Sequence, residues 1–185
     1  MKLPAASLAV CALLAPFFAS AHHFVIGQRV SPVGISDKGE LVLHQNETDY
    51  IDWNSARLPG KVRVLLHIAG RLSAKEMNEP VTEAIAAARL SPERYQTTII
   101  VNTDDAIPGS ALFVRSSLES SKKASPQSEF IIDSEGEAKR AWALKDGSSA
   151  VVVLDNASKV RFAKEGALTP AEIEQVITLL HNLVK

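Results

Sequence analysis

A run of apolar and β-branched residues, Lys61 to Ile68 in "KVRVLLHI", passes through "AGRL" into a segment of helical periodicity. This junction restricts the fold more than any other feature of the chain. A short strand that feeds a helix of several turns, followed by another β-branched run, has to cross over. Crossovers of that kind set the two strands parallel in one sheet with the helix on its face. Ser73 and Glu76 stand in the S-x-x-E spacing of a capping box, so the helix is expected to begin at Ala74. Met77, Val81, Ile85 and Ala88 recur at helical spacing as its buried stripe, Glu79 and Glu83 face outward, and Pro80 is placed to bend its start.

The pattern repeats downstream. Thr98 to Val101 in "YQTTIIVNTDD" reads as a strand, and Ser110 to Lys123 as a helix with Ala111, Val114 and Leu118 inside. Lys122 and Lys123 suit the negative end of its dipole. "EFIID" is a strand, "AKRAWAL" a short helix, and "AVVVLDNASKVRFAKEG" two antiparallel strands joined at Asp155 to Ser158. At the last helix Thr169 caps, Pro170 takes the first position and Glu172 closes a second capping box. Ile173, Val176, Ile177, Leu180 and Leu183 form its apolar stripe. Nearer the start, "FVIGQRV" and "ELVLHQ" read as strands around a turn-rich "SPVGISDKGE". The fold class is α/β, a mixed sheet flanked by helices with an N-terminal β extension. No internal repeat, low-complexity tract or linker interrupts it.

Lys2, the apolar run Leu8 to Phe18 and the small residues Ala19-Ser20-Ala21 have the order of a secretory leader. The run is shorter than the roughly 18 apolar residues a spanning anchor needs, and Pro4 and Pro16 shorten it further. Cleavage is expected after Ala21. The expected layout is a signal peptide over 1–21, a β extension over 22–51 and the main domain over 52–185, with no membrane span once the leader is removed. Loss of Lys2 leaves 19 basic and 21 acidic residues, a formal charge of −2, which is no electrostatic footprint for nucleic acid. The single cysteine, Cys11, lies in the leader, so the exported chain is expected to carry no thiol, no disulfide and no thiolate nucleophile.

The stretch "LPGKVRVLLHIAG", the "KEM" of the following helix, the strand exit "NTDD" and the terminal "VVVLDNASKVRFAKEGALTPAE" resemble exported thioredoxin-like proteins over roughly Asp52 to Lys185. Within that group, "AGRLSAKEMN" and "YQTTIIVNTDDAIPGSALFV" are similar to the YtfJ family of bacterial periplasmic proteins. The resemblance implies a thioredoxin-like fold and a periplasmic location, in a family without an established activity. It also puts Gly70-Arg71-Leu72-Ser73 where redox-active relatives carry C-x-x-C, and Ser149 where they carry a cis-proline. Thiol–disulfide exchange is therefore not expected, since the loop has the position of a reactive turn without the reacting group.

The candidate binding residues are Gly70, Arg71, Ser73, Asp104, Asp105 and Ser149. Ser73 reads as a cap, no sequence neighbour offering it a base. Arg71 either receives an anion or carboxylate or pairs with an acid such as Asp105. Asp104 and Asp105, at a strand's carboxyl end, either hold a hard cation with Asp155 or Asp133, or point opposite ways with one capping the next turn. His22 and His23, at the expected mature terminus, either chelate copper or zinc or form a disordered polar end. His67 reads as a hydrogen-bonded core histidine, His44 stands apart on another strand, and Trp53 and Trp142 read as core. The Ser-rich "RSSLESSKKASPQS" reads as the wet face of a helix and its loop.

No catalytic residue, metal or cofactor is expected. The expectation is a non-catalytic periplasmic binding or adaptor module for a protein or peptide, held at Gly70 to Ser73, "NTDD" and Ser148-Ser149, with the backbone beside Ser149 pairing an extended peptide. The alternative is a cysteine-free metal protein or hydrolase built on Asp104 and Asp105 or on His22 and His23.

Overall fold

The computed structural model describes residues 22–45 and 47–185. The expected leader and Cys11 lie outside them. Seven strands form one sheet, β1 (Gly34–His44), β2 (Glu47–Asn54), β3 (Val62–Ala69), β4 (Tyr95–Asn102), β5 (Glu129–Asp133), β6 (Ser149–Leu154) and β7 (Val160–Glu165), in the order β2-β1-β5-β4-β3-β6-β7. The central β3, β4 and β5 are parallel, as the crossovers require, and the β6–β7 hairpin and the β1–β2 hairpin add antiparallel pairs on either side. The helices are α1 (Leu72–Ala87), α2 (Ala111–Ala124), α3 (Glu137–Trp142) and α4 (Pro170–Leu183).

Alternation along β3 divides the core. Val62, Val64 and Leu66 face α1 and α4, where they meet Val81, Ile85, Val176 and Leu180, whereas Leu65 faces the opposite side with Ile100, Trp142 and Trp53. A third cluster, Leu41, Val101, Leu118, Phe130 and Ile132, lies under α2 on the same side as α1, with Ile99 packed against both. The final helix is capped as read: Thr169 accepts from the Glu172 N–H, and the Glu172 carboxylate accepts from the Thr169 N–H at 2.7 Å.

The N-terminal part departs from the sequence reading. "FVIGQRV" is not a strand. It is a turn-rich segment whose Phe24 and Val30 are buried against Trp142 and Val160, with one isolated bridge from Arg29 to Lys159. The strand instead runs through "GISDKGE", because a β-bulge between Ile35 and Glu40 absorbs the turn signals. Gly39 makes this possible: its φ is +76°, and a Cβ there would lie 2.2 Å from the Ile51 carbonyl oxygen. β2, unread in the polar "ETDYIDWN", crosses position 51/52, and β1 pairs with β5 at Gly39–Ile132 and Glu40–Ile131, so the hairpin and the central strands share one sheet.

α1 also begins earlier than Ala74. Arg71 is the N-cap residue, extended at φ −129° and ψ 146°, no side chain caps the helix, and Ser73 lies within its first turn. Tertiary contacts of Arg71 hold the boundary there in place of the local capping box. The buried stripe accordingly shifts to Ala74, Asn78, Val81 and Ile85, leaving Met77 half-buried, and α1 continues through Pro80.

Candidate functional site

The carboxyl ends of β3 and β4, the loop into α1 and the turn before β6 meet at one place. The Gly70 N–H donates to the Asn102 carbonyl at 2.8 Å, and a Cβ on Gly70 would stand 3.1 Å from that oxygen. Glycine thus lets the loop lie directly on the β4 exit. The Ala69 N–H donates to the Ser148 carbonyl at 3.1 Å, which ties the same loop to the turn before β6. Arg71 reaches across this junction. Its Nε donates to the backbone oxygen of Asp105 at 2.5 Å and its guanidinium lies over Gly147, so the expected pairing with Asp105 is made with the main chain and not with the carboxylate.

Asp104 and Asp105 do not point opposite ways. β4 ends at Asn102, so both lie in the turn beyond it and converge on Lys139 of α3, with Nζ 3.3 Å from Asp104 Oδ2 and 2.9 Å from Asp105 Oδ1. Asp146 adds a third carboxylate at 3.0 Å. Asp105 is buried, and its Oδ2 accepts from Asn102 Nδ2 at 2.9 Å and from the Gly147 N–H at 3.1 Å. Burial works to raise its pKa, but the hydrogen bonds from Lys139 and Gly147, with the Lys139 and Arg71 charges, outweigh it and hold the carboxyl below its ordinary value. The Asp105 hydrogen bond is the main influence raising Lys139, with Asp146 and Asp104 adding to it against a smaller opposing effect of burial.

Lys139, which the sequence offered only as one basic residue in a short helix, is thus the centre of the cluster. Lys139→Ala is expected to cost about 2 kcal/mol, the scale of a lost charge-assisted hydrogen bond, and to raise the Asp105 carboxyl. Urea unfolding and carboxyl-detected NMR titration of the variant check both. An unchanged Asp105 would remove Lys139 from this role.

The acids weighed as cation ligands are engaged elsewhere. The Asp133 carboxylate accepts the N–H groups of Glu137 and Ala138, both at 2.9 Å, at the start of α3, and Asp155 accepts those of Ala157 and Lys159 within the β6–β7 turn. His22 Nδ1 accepts from the Phe24 N–H, and the His23 N–H donates to the Trp142 carbonyl at 2.9 Å, so these two residues lie against the domain and do not form a loose end. Among the described residues no group of three or more His, Cys, Asp or Glu is placed to hold a metal ion.

Ser149 is buried beside α1, its Oγ donating to Met77 Sδ at 3.4 Å. β6 lies between β3 and β7, and the Ser149 carbonyl already accepts from Gly166. There is no open sheet edge at Ser149 for a peptide to extend, which corrects that part of the sequence reading. His67 is a core residue as expected, but neither ring nitrogen has a hydrogen-bond partner among the described residues. The ring is 2% exposed, stands edge-on to Trp142, and is held neutral by burial down to a pKa of about 4. Trp142 itself donates from Nε1 to the Ser31 carbonyl at 2.9 Å.

One feature had no clear sequence signal. α1 and α2 do not close over β4, and between them lies a cavity of about 620 Å³ floored by Ile68, Ile99, Val101 and Phe130. Its rim carries Arg71 and Leu72 at the head of α1, Ile107 of the "NTDD" loop and Phe113 of α2. Leu72, Ile107 and Phe113 are 68%, 60% and 79% exposed. Leu72 and Ile107 fall in turn-rich stretches and Phe113 lies off the apolar stripe read for its helix, so hydrophobic periodicity does not group them.

Three parallel strands with crossover helices, a terminal β hairpin and a loop entering α1 at the strand ends define a thioredoxin-like fold, here with no cysteine among the described residues. Solved structures agree on the fold. The thioredoxin domain of a thiol-disulfide oxidoreductase from Bacteroides vulgatus aligns with a TM-score of 0.54 at 6% identity, covering 84% of this chain and 97% of that one. A thiol-disulfide isomerase from Corynebacterium glutamicum gives 0.51 at 14% identity, covering 81% and 96%. Residues 24–183 match the family model YtfJ_HI0045, described as bacterial protein of unknown function. The chain belongs to that family. It is 62% identical over 178 residues to the uncharacterized protein YtfJ of Escherichia coli (strain K12), covering 96% of this chain and 97% of the relative, and 40% identical over 176 residues to an uncharacterized protein of Haemophilus influenzae, covering 95% and 96%.

Proposed function

We propose that this protein is an exported, non-catalytic binding or adaptor module of the periplasm, holding a partner protein or peptide at the loop from Gly70 to Ser73 and the adjoining Asn102 to Ile107 segment. One observation carries this reading. Leu72, Ile107 and Phe113 are exposed together around Arg71 on the rim of one cavity, and grouped exposed apolar side chains on a soluble domain mark an interaction surface. Thiol exchange has no group to perform it, because the one cysteine of the chain, Cys11, belongs to the expected leader. The Asp104–Asp105–Lys139 cluster serves as scaffold, its charges consumed in fixing the β4 exit against α3 and the turn at Gly147. Binding here uses side chains and the exposed loop, strand addition at Ser149 being closed.

A photo-crosslinking residue placed at Leu72 or Ile107 in growing cells is expected to give the same discrete adduct, weakened by Arg71→Ala. Glu47, exposed on the edge strand β2, is the control. Adducts at Leu72 and Ile107 no stronger than at Glu47 would sink the reading.

A further inference from the structure

We infer that the cavity between α1 and α2 is a ligand site for one long-chain fatty carboxylate, with the acyl chain along the groove and the carboxylate at Arg71 and Lys75. The inference goes beyond a protein partner at the loop and shares with that reading Arg71 and the apolar rim of the cavity.

Size and shape come first. About 620 Å³ is within the range of small-molecule sites, which are concave, mostly apolar and fitted with a few polar groups. The lining follows α2 from Phe113 to Ser125, about 18 Å at the helical rise per residue. That is the length of a long acyl chain and more than a compact metabolite needs. The floor is the gap between two packed clusters on the same face of the sheet. Ile99 touches both, and Val101 and Phe130 continue it. Apolar surface left open in this way is covered favourably by methylene groups.

Charge then sets the direction and the head group. Arg71 and Lys75 stand at the end of the groove nearest the carboxyl ends of the strands, and neither forms an ion pair with an acidic side chain of the described residues. The Arg71 guanidinium donates through Nε to the Asp105 backbone oxygen, which fixes its position with Nη1 beside Gly147, and no described residue accepts from either Nη. The far end, at Ala124 and Ser125, has no charged lining residue. Glu79, one turn beyond Lys75 on α1, is the single acidic residue among the described lining residues, so the three charges sum to +1, matching a monoanionic carboxylate better than a phosphate that carries closer to two charges.

The test is displacement of the fluorescent fatty acid cis-parinarate from the full chain recovered from cells. Wild-type protein is expected to enhance parinarate fluorescence and to release the probe to oleate, while oleyl alcohol and octanoate compete at least about tenfold less well, a margin of about 1.4 kcal/mol. Ser117→Trp, at an exposed lining position of α2, is expected to abolish the signal by filling the groove. Arg71→Gln with Lys75→Gln is expected to raise the half-displacing oleate concentration by about tenfold. No fluorescence gain with wild-type protein, equal competition by oleyl alcohol, or stronger competition by 1-oleoyl lysophosphatidate than by oleate would each overturn the assignment. Adducts formed at Leu72 in a protein that fails to bind parinarate would defeat the carboxylate and leave the adaptor reading standing. Parinarate binding without those adducts would do the opposite.

Discussion

Glu129→Ala is expected to destabilise the protein by about 3–5 kcal/mol, the cost of leaving a buried charge without its partner. Arg63 is a charged residue in the middle of the sheet, on β3, and its side chain is 6% exposed. Four of its five N–H donors are used: Nη1 donates to Glu129 Oε2 and Thr98 Oγ1, both at 2.8 Å, Nε to the Leu58 carbonyl at 2.7 Å and Nη2 to the Arg57 carbonyl at 3.2 Å. The pair spans β3, β4 and β5 and locks their register at the end remote from the loop. Removing the carboxylate leaves the guanidinium desolvated with neutral acceptors only. The paired replacement Arg63→Met with Glu129→Leu is expected to recover most of the loss, because it removes both desolvated charges. Denaturant unfolding of the three variants decides the matter. A cost below about 1 kcal/mol for Glu129→Ala is the value of an exposed ion pair, and finding it would show that this one is not buried in solution.

His67 makes the second large effect, and it depends on pH. Desolvation lowers its pKa to about 4, aided slightly by Lys139 and opposed by Asp105, whereas the unfolded chain's histidine titrates near 6.5. The folded state therefore binds the proton less well. Its stability is undiminished above about pH 6.5, falls as the pH drops toward 4, and is lower by about 3 kcal/mol beneath both values. His67→Leu keeps a similar volume against Trp142 and removes the titration. The difference in unfolding free energy between wild type and variant is expected to change by that amount between pH 7 and pH 4, with the carboxylates common to both cancelling. A difference independent of pH would mean that the ring is already hydrated or charged in the fold.

Where the sequence was read correctly, the signal was local and periodic. The βαβ succession, the hairpin at Asp155 to Ser158, the capping box at Thr169 and the stripe on α4 each rest on contacts between residues near in the chain, so spacing alone carries them. Where it was misread, a distant contact overruled the local pattern. Ser73 and Glu76 have the right spacing for a cap, yet the Arg71 bond to Asp105 and the Gly70 bond to Asn102 begin the helix at Leu72. "SPVGISDKGE" has the composition of a loop, yet pairing with β2 and β5 makes most of it strand.

The candidate site divides in the same way. That Gly70, Arg71 and Asp105 stand at strand ends follows from the order of elements, and the fold joins these ends through the Gly70 and Arg71 hydrogen bonds. That Lys139 gathers Asp104 and Asp105, that Ser149 is sealed inside the sheet, and that α1 and α2 part over β4 all involve residues tens of positions apart. The amino-acid order by itself determined the α/β class, the thioredoxin-like succession and the confinement of the chain's only cysteine to its first residues. Only the tertiary structure decided which charges neutralise one another and which apolar side chains stay uncovered, because both depend on distances through space that no periodicity along the chain encodes.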